Sequence, residues 1–405
     1  MEPTRPEPLS DEWCQHHFNY LAPEFAAAIH PTLARMRAQC PVTRSDERGG
    51  FWVVTRYDDV LRVAQDWETF SSELGVAIPD SQMVTPAIPE HIDPPRHREY
   101  KRLINAWFTP AVVSRYEEPT RALVTRLIDD VIETGTCDFM ADIAQPLPGL
   151  AFFELVLGAP PEEVTEVAAL AQRASVPTNP DSRECWQALT AWITAFVDDR
   201  RAGAPRGDVV DAILAAEIEG RPITETEVLG IILLLILGGL ETTAGALGAF
   251  VLRFCRDPEI PDLLRRRPDL VPAAVEELLR LDDPFLAIGR TVRHDTDLGG
   301  HHLSAGEKVY LSWASANRDE AEFPDPDTFD LDRERNRHLA FGAGPHRCAG
   351  SHLARMNLRI AVHEVTRRLH DLVLMEPEAS LPFHTAFNRS PLSMPLSFRP
   401  GPRVG

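Results

Sequence analysis

The stretch Phe341-Gly-Ala-Gly-Pro-His-Arg-Cys-Ala-Gly350 joins three glycines, a proline and a cysteine within ten residues. The glycines permit tight turns and a close approach of the backbone to a bulky ligand, and Pro345 fixes part of the loop. Because a helical pattern begins at about Ala349, free backbone N–H groups and the positive end of the helix dipole would favour the thiolate form of Cys348. The stretch therefore predicts a metal-ligating thiolate, with a buried cysteine in a glycine-rich turn as the alternative.

The longest helical pattern begins with a capping box at Thr224-Glu-Thr-Glu227, in which a hydroxyl and a carboxylate can each satisfy a free backbone N–H group. The pattern continues to about Cys255, which gives a helix of about 45–50 Å. It is apolar on nearly all faces, so we expect this helix to cross the middle of the protein. Its apolar run at 228–240 is too short for a bilayer span, which needs about 20 residues.

The middle of this helix carries the polar stretch Gly238-Gly-Leu-Glu-Thr-Thr243. Glycines, an acid and threonines are costly in an otherwise apolar helix, so a compensating interaction is expected. Glu241 and Thr242 are therefore candidate functional residues. The alternative for a threonine is a hydroxyl group that bonds the carbonyl group four residues earlier.

Two further motifs contain charged side chains at helical spacing. Glu277-Leu-Leu-Arg280 places opposite charges at i and i+3 of a helix, where they can meet. On its own it would be a surface ion pair. Asp93-Pro-Pro-Arg-His-Arg-Glu-Tyr-Lys-Arg102 begins another helix and contains His97 and Lys101. A solvated basic helix start is the alternative for this second motif.

The four motifs together resemble those of the cytochrome P-450 family, in the order in which the family has them. Residues 341–350 match every fixed position of its haem-binding pattern F-x-x-G-x-x-x-C-x-G. The resemblance covers most of the chain and implies a mainly α fold with small β-sheets (α+β), in which the long central helix lies over a buried haem b. It also implies a single domain over residues 1–405. The sequence itself shows helical patterns at roughly 96–108, 117–134, 141–157, 161–173, 182–202 and 208–218.

The resemblance also implies which residues form the site. Cys348 would ligate the iron, and a thiolate ligand pushes electron density onto haem iron and favours O–O cleavage. Glu241 and Thr242 would be an acid–alcohol pair that organises water and protons. The residues that contact the cofactor would be His97, Lys101, Arg290, Phe341, Gly342, His346, Cys348 and Gly350.

Other residues would support the core or depart from the family pattern. Glu277 and Arg280 would brace the core behind the haem, with Arg333 or Arg335 as a third member. Lys101 stands where the family has arginine, and lysine can neutralise a haem propionate but cannot contact it in a bidentate manner. Many relatives also have aspartate at the position of Glu241.

The implied activity is the insertion of one atom of O₂ into a hydrophobic substrate of small to medium size. Residues 88–95 are similar to those of relatives that hydroxylate small terpenoids. The pocket walls would be mostly apolar, which suits such a substrate, with Thr85 as a polar handle. The implied pocket residues are Thr85, Ile88, Leu234, Leu235, Gly238, Phe285, Leu286 and Ile288, with Ile78 and Met83 nearby.

The composition excludes several other classes of protein. A net charge of −20 disfavours nucleic acid and anionic membranes as partners. The six cysteines form no C-x-x-C pair, which disfavours a disulfide framework and favours a reducing compartment. The N-terminal residues contain no apolar stretch, so neither a signal peptide nor a membrane anchor is expected. A cytoplasmic protein is predicted.

A chain of this length has no room for a reductase fused to the family's core, so electrons would come from a separate ferredoxin. The segments 96–102 and 333–359 are locally basic and would attract such an acidic partner. The alternative is that these arginines serve the propionates and the core. Two other functions stay open at this point: a peroxide-driven haem enzyme and a non-enzymatic haem-binding protein.

Overall fold

A computed structural model describes residues 7–384 and 387–405 of the chain. Residues 1–6 and 385–386 belong to the range of the predicted single domain but lie outside the described residues. The beginning of the N-terminal stretch in which no leader is expected lies outside them as well.

Helices make up most of the structure, as the sequence predicts. Helical turns of π type at Met140–Ala144 and Ala151–Leu157 flank the short α-helix Pro146–Leu150. A 3₁₀ turn at Gly344–His346 lies within the glycine-rich loop. The α-helices are α1 Asp11–His16, α2 Pro23–Ala27, α3 Ile29–Gln39, α4 Tyr57–Gln65, α5 His97–Asn105, α6 Pro110–Val113, α7 Glu117–Ile132, α8 Pro146–Leu150, α9 Val164–Ser175, α10 Ser182–Ala202, α11 Val209–Leu214, α12 Glu225–Arg256, α13 Glu259–Arg266, α14 Val271–Leu281, α15 Trp313–Ala316 and α16 Ser351–Arg368.

The β-sheets are small, and they confirm the predicted mainly α architecture. The largest is five-stranded, with the order β1-β2-β10-β7-β3; only its β2–β10 pair is parallel. A three-stranded sheet has the order β11-β12-β4, and two hairpins complete the set. The strands are β1 Val42–Ser45, β2 Phe51–Val54, β3 Phe70–Ser71, β4 Thr136–Asp138, β5 Glu217–Ile218, β6 Arg221–Pro222, β7 Ala287–Val292, β8 Thr296–Leu298, β9 His301–Leu303, β10 Lys308–Ser312, β11 His370–Leu374 and β12 Pro395–Arg399.

Helix α12 begins as the sequence predicts. The Thr224 hydroxyl accepts a hydrogen bond from the Glu227 N–H at 3.4 Å, and the Glu227 carboxylate accepts one from the Thr224 N–H at 2.7 Å. The helix has 32 residues, which corresponds to about 48 Å. Its first half packs into a core with α10, and its second half into a core with α7 and α16. The midpoint of α12 therefore lies between two cores.

Among the residues that the structure describes, two helical stretches are long and apolar enough to cross a membrane: Met140–Leu157 and Glu225–Arg256. In each, 61% of the most apolar 18 residues are buried inside the protein, as in a core helix. This burial agrees with the interpretation of residues 228–240 as part of a buried helix.

The charged pair on α14 is buried and belongs to a cluster. Arg280 donates to both carboxylate oxygens of Glu277, at 2.7 and 2.9 Å, and each residue is only 1% exposed. Arg333 Nε lies 3.2 Å from the same carboxylate, so Arg333 rather than Arg335 is the third member. Arg280 also donates to the carbonyl groups of Asn317 and Pro326. The interpretation of this motif as a surface ion pair is thereby excluded.

The predicted helix at 208–218 is shorter than the sequence pattern indicates. Helix α11 ends at Leu214, and a hairpin of β5 and β6 follows. The hairpin turn needs positive φ angles, which Glu219 and Gly220 adopt at 53° and 73°. A helix cannot continue through such a turn.

Candidate functional site

A cavity of about 430 Å³ lies against the midpoint of α12. Its walls come from α5, α12, β7, the loop at 341–350, the segment 76–91 and residues 384, 387 and 388. The predicted site residues that line it are His97, Lys101, Leu234, Leu235, Gly238, Glu241, Thr242, Phe285, Ile288, Arg290, Phe341, Gly342, His346, Cys348 and Gly350. Residues from distant parts of the chain thus meet around one space.

The loop before α16 is shaped by its glycines. Gly342 and Gly344 have φ angles of 67° and 68°, a region that favours glycine. A Cβ on Gly344 would lie 2.4 Å from the carbonyl oxygen of Ala64, so the loop packs directly on the backbone of α4. The Cys348 N–H donates to the Phe341 carbonyl at 2.8 Å, which closes the loop. This conformation directs the cysteine toward the cavity.

The Cys348 side chain has exposed surface although protein surrounds it, because that surface faces the cavity. Burial raises the pKa of the thiol, while Lys101, the Gly350 N–H and two arginines act in the opposite direction. Helix α16 begins only at Ser351. The Gly350 N–H, at the N-cap position of this helix, is a backbone donor to the sulfur.

Two cationic groups, Arg290 and Lys101, line the cavity and form no ion pair with a carboxylate of the described residues. Arg290 is 3% exposed and donates to the Gly289 carbonyl at 2.7 Å, and no carboxylate of the described residues forms an ion pair with it. Burial lowers its pKa to about 10. Lys101 donates to the Arg347 carbonyl at 2.5 Å, and burial lowers its pKa as well. Glu90 and Asp93 act on Arg290 without forming an ion pair with it. A buried cation without a directly bound counter-charge is costly, so a ligand anion is expected beside these groups.

Two histidines lie beside these cations. The rings of His97 and His346 are 4.4 Å apart. Burial lowers the pKa of His97 to about 4 and that of His346 to about 2. Neither ring nitrogen of the buried His97 has a hydrogen-bond partner in the structure, whereas His346 Nε2 lies 3.2 Å from the Ser72 hydroxyl. His97 thus has unused hydrogen-bonding capacity inside the protein.

These residues fit the haem that the sequence resemblance implies. The cavity offers one sulfur donor, which suits iron. Arg290, Lys101 and the unpartnered His97 are suited to carboxylate groups such as haem propionates. The described residues contain no cluster of three or more His, Cys, Asp and Glu side chains that could hold a metal ion by itself. The donor set therefore matches a metal that arrives within an organic ligand.

The adjacent glycines Gly238 and Gly239 of α12 differ in the space around them. A Cβ on Gly238 would meet no atom within 4 Å, whereas a Cβ on Gly239 would lie 2.8 Å from the ring of Phe152. Gly238 thus leaves space free in the cavity, and Gly239 permits close packing. The Thr242 hydroxyl donates to the Gly238 carbonyl at 3.1 Å, which is the helix-bonded arrangement considered in the sequence analysis.

Three predicted pocket residues do not line the cavity. The Thr85 hydroxyl lies 3.3 Å from that of Thr190, so this polar group faces α10 and is no handle for a ligand. Ile88 packs on α12 at Gly230, where its N–H donates to the carbonyl at 3.1 Å. Leu286 is buried in the core around the N-terminal helices. Ile78 is also absent from the lining, whereas Met83 is part of it.

Several lining residues were missed by the sequence analysis. Asn388 Nδ2 donates to Glu241 at 3.0 Å, and His384 and Phe387 lie on the same segment. No local pattern marks these residues, because the contact of Asn388 with α12 spans 147 positions of sequence.

Asp93, in the motif at the start of α5, has a structural role. It accepts hydrogen bonds from Ser71 and Ser72 and so ties the start of α5 to β3.

Comparisons with known proteins identify the family of the chain. A family model described as "Cytochrome P450" matches residues 159–390. The steroid C26-monooxygenase of Mycobacterium tuberculosis (strain ATCC 25618 / H37Rv) is 37% identical over 381 residues, which cover 91% of this chain and 94% of that protein. The methyl-branched lipid omega-hydroxylase of the same strain is 34% identical and covers 82% of this chain and 81% of its own length. A mutant of P450 EryK solved in complex with erythromycin B has a TM-score of 0.85 at 30% identity, covering 94% of this chain and 98% of that chain.

The adjacent glycines Gly238 and Gly239 of α12 should respond differently to alanine. Gly238→Ala enters free space and should raise stability by about 0.5–1 kcal/mol, the usual gain when alanine replaces glycine in a helix. Gly239→Ala meets the Phe152 ring and should lose about 1–3 kcal/mol through overpacking. Thermal unfolding midpoints of the two variants measure this difference. Midpoints that move equally in the same direction would contradict the different surroundings of the two glycines.

Proposed function

The chain belongs to the cytochrome P450 family of haem b monooxygenases, and we propose that it oxidises an extended hydrophobic substrate with electrons from a separate ferredoxin. The predicted fold, cofactor and enzyme class are confirmed by this membership. The observation that carries the proposal is the cavity in which Cys348 faces the open space beside Gly238 on α12. A cytoplasmic location is part of the same proposal.

Haem b, when bound, supplies the iron at which O₂ is activated. The chain's own residues would hold it by two kinds of contact. Cys348 would donate its sulfur to the iron, with the Gly350 N–H as a hydrogen-bond donor to that sulfur. Arg290, Lys101 and His97 would bind the propionates, which supply the negative charge that these buried groups lack.

Thr242 and Glu241 would provide protons on the α12 side of the cavity. The Thr242 O–H group donates its hydrogen bond to the Gly238 carbonyl, but the hydroxyl oxygen can still accept a hydrogen bond from a water molecule in the cavity. Burial raises the pKa of the Glu241 carboxyl, which favours its protonated form and suits it to the role of a proton donor. The pair would thereby direct protons into the cavity while O₂ is reduced.

The proposed substrate is an extended hydrophobic molecule such as a steroid or a branched lipid. The interior of the cavity is mostly apolar, with Leu234, Leu235 and Phe285 among its walls. The segment 76–91 adds polar side chains, including Asp80 and Glu90. The 37% identical relative is named for a steroid and the 34% identical relative for a methyl-branched lipid, which supports this class over a small terpenoid.

The proposed electron donor is an acidic ferredoxin. Several arginines of the basic segment 333–359 are neutralised by acids: Arg333 pairs with Glu277, and Arg355 with Glu276. Arg98 and Arg347, by contrast, are exposed and have no ion pair among the residues that the structure describes. The hydrogen bond from Lys101 to the Arg347 carbonyl joins the segment of Arg98 to that of Arg347 beside Cys348. Arg98 and Arg347 thus form a basic patch, which would guide the approach of the ferredoxin.

The first test is turnover under ¹⁸O₂ with reduced ferredoxin and a panel of steroids and branched lipids. We expect product that carries one ¹⁸O atom. Thr242→Ala should keep haem content and substrate binding, but a larger share of the electron pairs should appear as hydrogen peroxide, because the positioned hydroxyl is lost. Thr242→Ser keeps the hydroxyl and should be milder. Product and peroxide per electron pair are the measured quantities.

Two outcomes would contradict the proposal. Product formed only when peroxide is added, never with ferredoxin and O₂, would favour the peroxide-driven alternative. A Thr242→Ala variant that couples electrons to product as efficiently as the parent would leave Thr242 with a purely helix-bonded role.

The basic patch predicts a charge-dependent reduction rate. Reversal of charge in Arg98→Glu and Arg347→Glu should slow reduction by ferredoxin and weaken its dependence on ionic strength. Arg183→Glu, at an exposed position on α10, serves as the matched control. Stopped-flow reduction at several salt concentrations measures the effect, with haem content determined for every variant. Equal rates for the parent and all three haem-replete variants would exclude the patch as a docking surface.

A further inference from the structure

Glu241 is the one acidic side chain of the polar stretch in α12, and it contacts the segment that follows β11. Its Oε2 atom accepts a hydrogen bond from Asn388 Nδ2 at 3.0 Å. Both residues line the cavity, as does the neighbouring Phe387. The contact joins the middle of the central helix to a segment near the C-terminal end of the chain.

Two atoms of this contact lack partners. Glu241 Oε1 and Asn388 Oδ1 are buried and have no hydrogen-bond partner in the structure. They are the second oxygen of the carboxyl group and the oxygen of the amide group. Both can only accept while Glu241 is ionised, and buried unpaired acceptors of this kind cost free energy.

A single proton satisfies both atoms. If Glu241 Oε1 carries the proton, it becomes a donor, and the Asn388 Oδ1 atom is the acceptor on the same contact. The carboxylic acid and the primary amide then form a cyclic pair: Asn388 N–H donates to Oε2, and Oε1–H donates to Oδ1. We propose that Asn388 is a positioning residue that holds Glu241 as a neutral carboxylic acid in the resting enzyme.

The surroundings of the pair support this arrangement. Burial raises the pKa of Glu241, with His384 and the Asn388 N–H acting in the opposite direction. His384 Nδ1 lies 3.3 Å from the backbone carbonyl oxygen of Asn388, which can only accept, so Nδ1 carries a proton. His384 Nε2 is buried and has no hydrogen-bond partner in the structure. Asn388 Oδ1 is thus the acceptor that the segment offers to a protonated Glu241.

The pair has a consequence for catalysis, and this part rests on the proposed monooxygenase function. Glu241 and Thr242 both line the cavity, so an acid held at position 241 is a proton source for the space that the Thr242 hydroxyl also lines. A proton that leaves Glu241 Oε1 breaks one hydrogen bond of the pair and leaves the Asn388 N–H bond to the carboxylate. Asn388 therefore keeps the carboxylate in place until a proton from water restores the acid.

The direct test is infrared spectroscopy of the ferric holoenzyme at neutral pH, without turnover. The parent should show the C=O stretching band of a protonated carboxylic acid that moves in D₂O and is absent in Glu241→Gln. Asn388→Leu, or Asn388→Ala if the first variant does not fold, should move this band to higher frequency, because the carbonyl loses its N–H donor. Phe387→Leu changes a neighbouring lining residue and should leave the band in place.

The same variants have a functional readout. Asn388→Leu should lower product per electron pair by about two- to tenfold, the effect of one lost hydrogen bond. In the Glu241→Gln background the same substitution should change the coupling little, because Asn388 acts through Glu241. An equal loss in both backgrounds would assign Asn388 to substrate binding and overturn the positioning role.

The infrared result would also overturn the proposal by itself. If Glu241→Gln removed no protonated-acid band, Glu241 would be ionised in the resting enzyme. If the band were present but unmoved by loss of Asn388, the amide would not hold it. Because no turnover is needed, these failures are distinct from a failure of the monooxygenase proposal, which would appear as the absence of ¹⁸O-labelled product.

Discussion

The desolvation of ionisable groups around one cavity is the constraint that determines what this site can bind. The Arg290 guanidinium, the Cys348 thiol and the Glu241 carboxyl are all withdrawn from bulk water, and burial shifts the pKa of each in the direction that favours its neutral form. Such groups are costly to bury unless a partner compensates them. A ligand that carries both carboxylate groups and a metal would compensate the burial of Arg290 and Cys348. The burial of Glu241 is compensated by a hydrogen bond from the amide group of Asn388, on a distant segment of the chain.

The cluster on α14 shows what compensation within the chain looks like. Glu277 is bound by Arg280 and Arg333, and Arg280 is further satisfied by backbone carbonyl groups. Every charge there has a partner, so the cluster serves the fold. The contrast between this satisfied cluster and the incomplete partners around the cavity separates structural from functional charges more clearly than burial alone.

The sequence predicted the features that depend on local spacing. The capping box at Thr224, the loop at Cys348 and the pair Glu277–Arg280 lie where the motifs place them, since each depends on residues a few positions apart. Local sequence patterns do not predict contacts between distant segments. The Thr85 hydroxyl faces α10, and Asn388 donates to Glu241, which lies 147 positions earlier in the chain; no local pattern indicates either contact. The choice between Arg333 and Arg335 also needed the path of the loop after α15.

The proposed function requires Cys348 to be the thiolate ligand of haem at this cavity. The most direct measurement is the absorption spectrum of the dithionite-reduced holoprotein with carbon monoxide, for the parent and for Cys348→His. We expect the red-shifted Soret band of thiolate ligation in the parent and its loss in the variant, with haem still bound through the histidine. A red-shifted band that persists in haem-replete Cys348→His would contradict it, because another residue would then be the ligand.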